Sequence, residues 1–365
     1  MINFSFMNQT LTKLFLSSLL FLSTFTAVAQ SDIAEIVKAG PQNATALANA
    51  YIEPAYKGFG MGLNSGWFNT AKPHSLGGFD ITFTGNIAFV PTDQHSFDVR
   101  SLTLDNRYIQ PTGPNYTAQT VVGKDEEGAH FNVYNPNDPI TASRIPVGSF
   151  NMPGGTGIGF VPTPTAQINV GLIKGTEVSV RFIPSFRFDR DEGKVNSYGF
   201  GLKHDIKQWI PVVKDIPFDL SIAGYYSSLK LTYNQELNPD MGTTPENSNL
   251  PTDFSNQRLE TRFNAYNINA IISKKISVIT FWGNVGYNHI HSKIGLFGNY
   301  PVTTRLVPTP QYTVYTDPVV IDNTKGSGVT AQAGFRLKLA FFTLQGSGSV
   351  GQYPTVNAGF GFSFR

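Results

Sequence analysis

Cysteine is absent from all 365 residues, which excludes a disulfide framework, thiol chemistry and thiolate-held metal. Charge is scarce. Asp, Glu, Lys and Arg make up 14% of the chain, against about a quarter in ordinary soluble proteins, too little for the surface of a soluble exported domain of this size. The net charge of +2 forms no block that would attract nucleic acid, and no such partner is expected. Long apolar runs are also missing beyond the N-terminus: after Gln30 nothing approaches the roughly 18 apolar residues of a spanning helix. Abundant instead are 29 Phe, 15 Tyr and 35 Gly.

The one apolar run, Leu14 to Phe25, follows Lys13 and precedes Ala27, Val28 and Ala29. A short basic start, an apolar stretch and a small-x-small site read as a secretory signal peptide over 1–29. Cleavage there leaves Gln30 as the mature N-terminus and 365 − 29 = 336 residues. An exported chain without a spanning helix is either soluble or a closed barrel. Only helices and closed barrels satisfy every backbone polar group in lipid.

Residues 30–76 read as a helical leader. Asp32 and Glu35 fit a capping box, Gly40-Pro41 stops a first helix, and Ala44, Leu47, Ala48 and Tyr51 form a second apolar stripe limited by Pro54. The stripe suits a plug in a barrel, a helical cap beneath one or an unordered leader; spacing does not choose among them.

From residue 77 to 365 the pattern has period two. Phe79, Ile81, Phe83 and Ile87 alternate with Asp80, Thr82, Thr84 and Asn86; Val178, Val180 and Phe182 with Ser179 and Arg181; Phe335 and Leu337 with Arg336 and Lys338; Phe360, Phe362 and Phe364 with Gly359, Gly361 and Ser363. Such alternation marks strands with one apolar and one polar face. The runs reach about 10 residues, the length of a tilted strand crossing a bilayer, where globular strands average nearer five or six.

The connections alternate as well. Those near 174–175 and 273–275 are tight, while 232–259 and 293–327 are long and polar, as for a membrane barrel with short periplasmic turns and long outer loops. The expected fold is therefore all-β: an antiparallel transmembrane barrel of about 12 strands, within 10–14, counting 96–104 and 129–134 as strands. Residues 105–165 resist assignment. Within 206–217, Trp209 suits either an interfacial aromatic belt or a short packing helix. With the apolar faces in lipid, Asp80, Thr82, Thr84, Asn86, Arg181, Arg187, Arg336 and Lys338 line the lumen. A basic lumen favours anionic solutes, unless these side chains pair internally and leave the barrel closed.

Segments Tyr56–Thr84, Gly155–Gly159, Lys174–Val178, Arg181–Pro184 and Gly201–Pro211 resemble an uncharacterised family of exported Bacteroidota proteins taken to be outer-membrane barrels. The resemblance implies that location and architecture, with outer-membrane lipid as surroundings. More distantly, a helical leader, then Asn69–Pro73, then the Phe79 strand is similar to the FadL-like hydrophobic-compound transporters; their turn carries Asn-Pro-Ala where this chain has Asn-Thr-Ala-Lys-Pro. Phe360, Phe362 and Phe364 resemble the C-terminal signal read by the barrel-insertion machinery, displaced one position by Arg365.

Enzyme chemistry, cofactors and metals are not expected. His289 and His291 share a strand face without a third ligand. His204-Asp205 reads as a turn pair. Asp189, Asp191 and Glu192 suit a solvated loop better than Ca²⁺, since Arg190 and Lys194 balance their charge. Gly154–Gly159 lacks the preceding strand and following helix of a phosphate loop. The expected function is a channel or transporter of small, hydrophobic or amphipathic solutes; the alternative is a structural or surface-interaction barrel.

Overall fold

A computed structural model describes residues 35–137, 145–188, 193–211 and 216–364. The signal peptide, Asp32, the 189–192 loop and Arg365 lie outside the described residues, as does the side chain of Arg187.

Ten strands close into one barrel: β1 (Phe79–Phe89), β2 (Phe160–Gly171), β3 (Thr176–Phe188), β4 (Gly193–Asp205), β5 (Asp219–Asn234), β6 (Arg258–Ile276), β7 (Ile279–Phe297), β8 (Gly328–Leu339), β9 (Phe342–Val350) and β10 (Thr355–Phe364). Each pairs antiparallel with its sequence neighbour, and β1 closes the ring on β10, Phe79 opposite Phe364 and Ala88 opposite Thr355. Outside the ring, Val319–Asn323 adds to the upper part of β7, from Ser292 to Leu296.

The count is ten rather than twelve. Ser96–Asp98 and His130–Val133 are strands of three and four residues in separate small sheets. At about 3.3 Å per residue neither reaches across a membrane. Their side chains join a common core instead: Phe131 stacks on Phe150 at 5.3 Å, with Met152 and Ile109 fully buried in the same cluster and Phe97 packed against it. The unassigned stretch before β2 is thus an external cap. The β2 strand also begins earlier than alternation suggests, because Pro162 and Pro164 lie within it. Both pair with β1, while β3 joins β2 only from Gln167 to Gly171. Proline is tolerated in a strand where one edge has no partner.

The two barrel ends differ. At the base, β2–β3, β6–β7 and β8–β9 are joined by residues 172–175, 277–278 and 340–341. The second turn lies four residues beyond the expected 273–275, since β6 continues to Ile276. Lys174, Ser277 and Ala340 take left-handed conformations, φ 54–55°, as tight reversals demand. At the mouth, connections 90–159, 235–257 and 298–327 carry the cap.

Alternation sorts the side chains. On β1, Asp80, Thr82, Thr84 and Asn86 face in and are buried. The outer surface is a belt of exposed apolar residues: Ile268 is 73% exposed, Val329 67%, Phe200 55% and Phe281 53%. A soluble barrel would hide such side chains; here the polar residues are the hidden ones.

Candidate functional site

The barrel interior is occupied by the chain's own N-terminal segment. Helix α1 (Pro41–Asn64) runs 24 residues, about 36 Å at 1.5 Å per residue. It begins among the mouth connections. Asn43 exchanges hydrogen bonds with the Asp105 backbone at 2.7 and 3.2 Å, and Tyr51 Oη donates to Gly154 O at 2.8 Å. From Ser65 to Gly78 a non-helical strap descends to the base, where β1 begins.

The helix ignores its own sequence signals. Pro54 was expected to limit it, and Gly58, Gly60 and Gly62 disfavour helix by about 1 kcal/mol each. Burial overrides both. The Tyr51 carbonyl, in the turn before Pro54, accepts from Val121 N at 2.9 Å. The glycines are where the walls come closest. A Cβ on Gly58 would lie 2.7 Å from Val161 Cγ2, one on Gly62 2.2 Å from Thr163 Oγ1, and one on Gly60 2.5 Å from Ile290 Cγ2. Val161 and Thr163 belong to β2 and Ile290 to β7, so the helix is wedged between two walls with only bare backbone at the contact.

Below the wedge the barrel supplies what the helix end lacks. The last carbonyls of a helix have no partner inside it and carry partial negative charge. Arg181 Nη1 donates to Leu63 O at 3.0 Å and Nη2 to Ser65 O at 3.1 Å, with its guanidinium 3.9 Å over the Trp67 ring. Asn267 Nδ2 donates to Asn64 O at 3.2 Å. Trp67 stacks on Tyr225 at 4.7 Å and Phe68 meets Trp282 edge-on at 5.1 Å.

The strap ends in a buried ionic cluster. Glu177 accepts from His74 N at 2.9 Å and contacts His74 Nδ1 at 2.7 Å, while its other oxygen pairs with Lys203 Nζ at 2.8 Å. Lys203 also donates to Thr70 O at 3.3 Å. His74 Nε2 lies 3.3 Å from Ser363 Oγ and 3.5 Å from Asp80. Asp80 accepts from Asn169 at 2.6 Å and faces Arg336 at 3.8 Å; Lys338 donates to Ser363 Oγ at 3.1 Å. Gln345 donates to Thr84 at 2.9 Å and Asn86 to Thr163 O at 2.8 Å. Thr82 donates to Asp80 at 3.3 Å. Among these inward-facing groups, four cations (Arg181, Lys203, Arg336, Lys338) stand against two carboxylates (Asp80, Glu177), a surplus of 4 − 2 = 2, and only Lys203 and Arg336 pair with them directly. Beside the strap at the base is a cavity of about 410 Å³ lined by Lys72, His74, Leu76, Leu172, Lys174 and Asp205, among others.

Ser363, His74 and Glu177 stand in the order of a nucleophilic triad. Ser363 is 2% exposed, already accepts the Lys338 ammonium and does not line the cavity. The contacts bind the strap to the wall and present no nucleophile to a substrate. His289 and His291 lie on the outer face of β7: His289 stacks on Tyr266 at 4.8 Å and His291 meets Asp322 at 2.6 Å. At the base, His204 accepts from Trp209 Nε1 at 2.8 Å, and Trp209 is exposed on a single 3₁₀ turn, Lys207–Trp209.

Sequence reasoning missed Glu177, Lys203 and His74. A signal existed for Glu177, which shares the polar face of Ser179 and Arg181. None existed for His74, which lies in the strap, 103 residues from its carboxylate.

Among solved structures, the chain is similar to the translocator domain of autotransporter NalP from Neisseria meningitidis: 10% identity, 90% of this chain and 99% of that one, TM-score 0.30. It is also similar to a Pseudomonas aeruginosa FadL homologue (10% identity, 85% and 96%, TM-score 0.24) and to Ail, the attachment invasion locus protein of Yersinia pestis (8%, 79% and 100%, TM-score 0.24). Scores this low carry no argument, and the barrel stands on its own strand pairing. No curated protein matches the chain. A family model matches residues 7–364, and the chain belongs to that family, DUF6588, a family of unknown function.

Proposed function

We propose that this protein is exported through a cleaved signal peptide to an outer membrane, inserts there by way of its C-terminal strand, and is closed at rest by its own N-terminal segment. The membrane reading is supported by the apolar outer belt around a polar interior; in a soluble protein the two would be exchanged. The closed state is supported by the glycine wedge, where the helix backbone meets β2 on one side and β7 on the other, and by the Trp67–Tyr225 and Phe68–Trp282 contacts below it. The working surface is then the cap formed by 90–159, 235–257 and 298–327, and the protein is a surface-interaction barrel.

One observation favours a second reading, a gated channel or transporter. The strap meets the wall mostly through hydrogen bonds and ion pairs, which water can replace. Its withdrawal would leave Asp80, Thr82, Thr84, Asn86, Arg181, Arg336 and Lys338 along a basic path for small anionic or amphipathic solutes. Planar-bilayer recordings separate the two. The full chain is expected to show no conductance steps, and a variant lacking residues 35–74 to conduct with anion preference. Conductance by the full chain at rest would refute the closed state. Substrate-dependent gating by a natural solute would move the assignment to transport.

A further inference from the structure

The barrel wall is uneven. Strands β5, β6 and β7 have 16, 19 and 19 residues, against 9–13 for the others. On the outer face of this tall wall the register builds tiers. Phe200, Tyr226, Tyr266 and His289 are cross-strand neighbours in one row. Tyr226 and Tyr266 stack at 6.5 Å, and Tyr198 joins them at 6.3 Å from Tyr226. Aromatic rows of this kind sit at the level of lipid headgroups. Two rows nearer the mouth, Lys230 pairs in register with Arg262, and Arg262 with Lys293.

That upper row is basic. Glu260 sits among three cations, 2.9 Å from Lys230, 3.3 Å from Arg262 and 3.8 Å from Arg258. Lys293 is exposed and stands in register opposite Asp322. Four cations (Lys230, Arg258, Arg262, Lys293) against two carboxylates, Glu260 and the Asp322 that stands in register opposite Lys293, leave 4 − 2 = +2. Long basic side chains above an aromatic belt place their ammonium and guanidinium groups among headgroups while their stems lie along apolar surface. On β1, β8, β9 and β10 exposed mouth-end residues are apolar (Phe89, Val329, Val350 and Val356), while β4, next to the tall wall, adds the exposed Lys194.

We propose that this one-sided shelf of Lys230, Arg262 and Lys293 holds the anionic phosphate headgroup of a lipid in the leaflet on the mouth side. The proposal rests on the membrane reading above. The headgroup lies against the row of cations, where guanidinium and ammonium groups match phosphate oxygens, and its acyl chains descend past the tyrosine row onto the belt. The excess of positive charge at that height is what the lipid neutralises.

The test uses the full mature chain in phosphatidylcholine vesicles containing a minority of phosphatidic acid, with retained lipids identified by native mass spectrometry. Phosphatidic acid is expected to be retained over phosphatidylcholine, and the K230Q/R262Q/K293Q variant to lose on the order of a hundredfold of that preference, about fivefold per cation. Equal retention by the two proteins overturns the proposal, as does displacement of the lipid by inorganic phosphate, which would make the shelf a free-phosphate site. Should the triple variant fail to insert, K293E at the exposed end of the row carries the test, with loss of preference expected and unchanged preference refuting. Failure of the wild type to insert into either vesicle would sink the membrane reading itself; insertion without lipid preference sinks only the shelf.

Discussion

Replacing Gly60 by alanine sets two opposing effects against each other at one position. Alanine is the better helix former by about 1 kcal/mol, so on an open helix the change stabilises. Here the new Cβ would stand 2.5 Å from Ile290 Cγ2 and 2.9 Å from Cδ1, and Ile290 is fully buried in β7 with the helix against it. Forcing a methyl group into such a contact costs about 1–3 kcal/mol. The net expectation is a loss of about 0–2 kcal/mol. The I290A background removes every atom the new methyl strikes. That single change costs about 2–5 kcal/mol through the cavity it leaves, and adding G60A there restores about 1 kcal/mol by propensity and more by filling. The sign therefore reverses, with a coupling energy of about 2–3 kcal/mol, within the usual range for residues in contact. Denaturant unfolding of the four proteins in detergent micelles, followed by heat-modifiable migration, measures it. G148A, where an added Cβ meets nothing within 4 Å, is the control. If G60A stabilises equally in both backgrounds, the helix is not wedged against β7, and the occluded interior falls with it.

Two further changes probe the strap and the upper helix. E177Q leaves Lys203 without its counter-charge in a buried site and is expected to destabilise by about 3–5 kcal/mol; adding K203M should recover most of it, read by the rate at which protease cleaves the 65–78 strap, and equal cleavage in all variants would count against the latch. Burial pushes the Glu53 carboxyl up, but hydrogen bonds and charge from Lys325 and Lys57 outweigh this and hold its pKa below the ordinary 4.5. A carboxylate with a depressed folded pKa contributes stability above its unfolded value and loses it as pH falls through the folded one. Hydrogen exchange at the mouth-side turns of α1 should accelerate below about pH 4.5, an effect that E53Q removes; an unchanged pH profile in E53Q would show that the acid response arises elsewhere.

Much of the fold was legible because β-structure advertises itself locally. Alternation at Phe79–Phe89 and Thr355–Phe364 identifies strands whatever they pair with, since successive side chains must point to opposite faces. Connection lengths separate the two ends only in part: 206–218 is long at the base and 351–354 short at the mouth. Strand number was not legible: 96–98 and 130–133 have the composition of strands, and their assignment to the cap depends on whether a ring of neighbours exists for them to join. The helix was misjudged beyond Pro54 because propensity describes an isolated segment, and this one is enclosed.

What the sequence determined alone is therefore the class of structure and the two faces of its strands, both consequences of short-range stereochemistry and of the ratio of apolar to charged residues. Tertiary structure alone decided the closure at ten strands, the passage of Pro41–Asn64 through the interior, and the meeting of His74, Glu177 and Lys203. Those depend on contacts between residues 26 to 285 positions apart, where free energy is set by what surrounds a group once the chain has closed, and no local pattern encodes that.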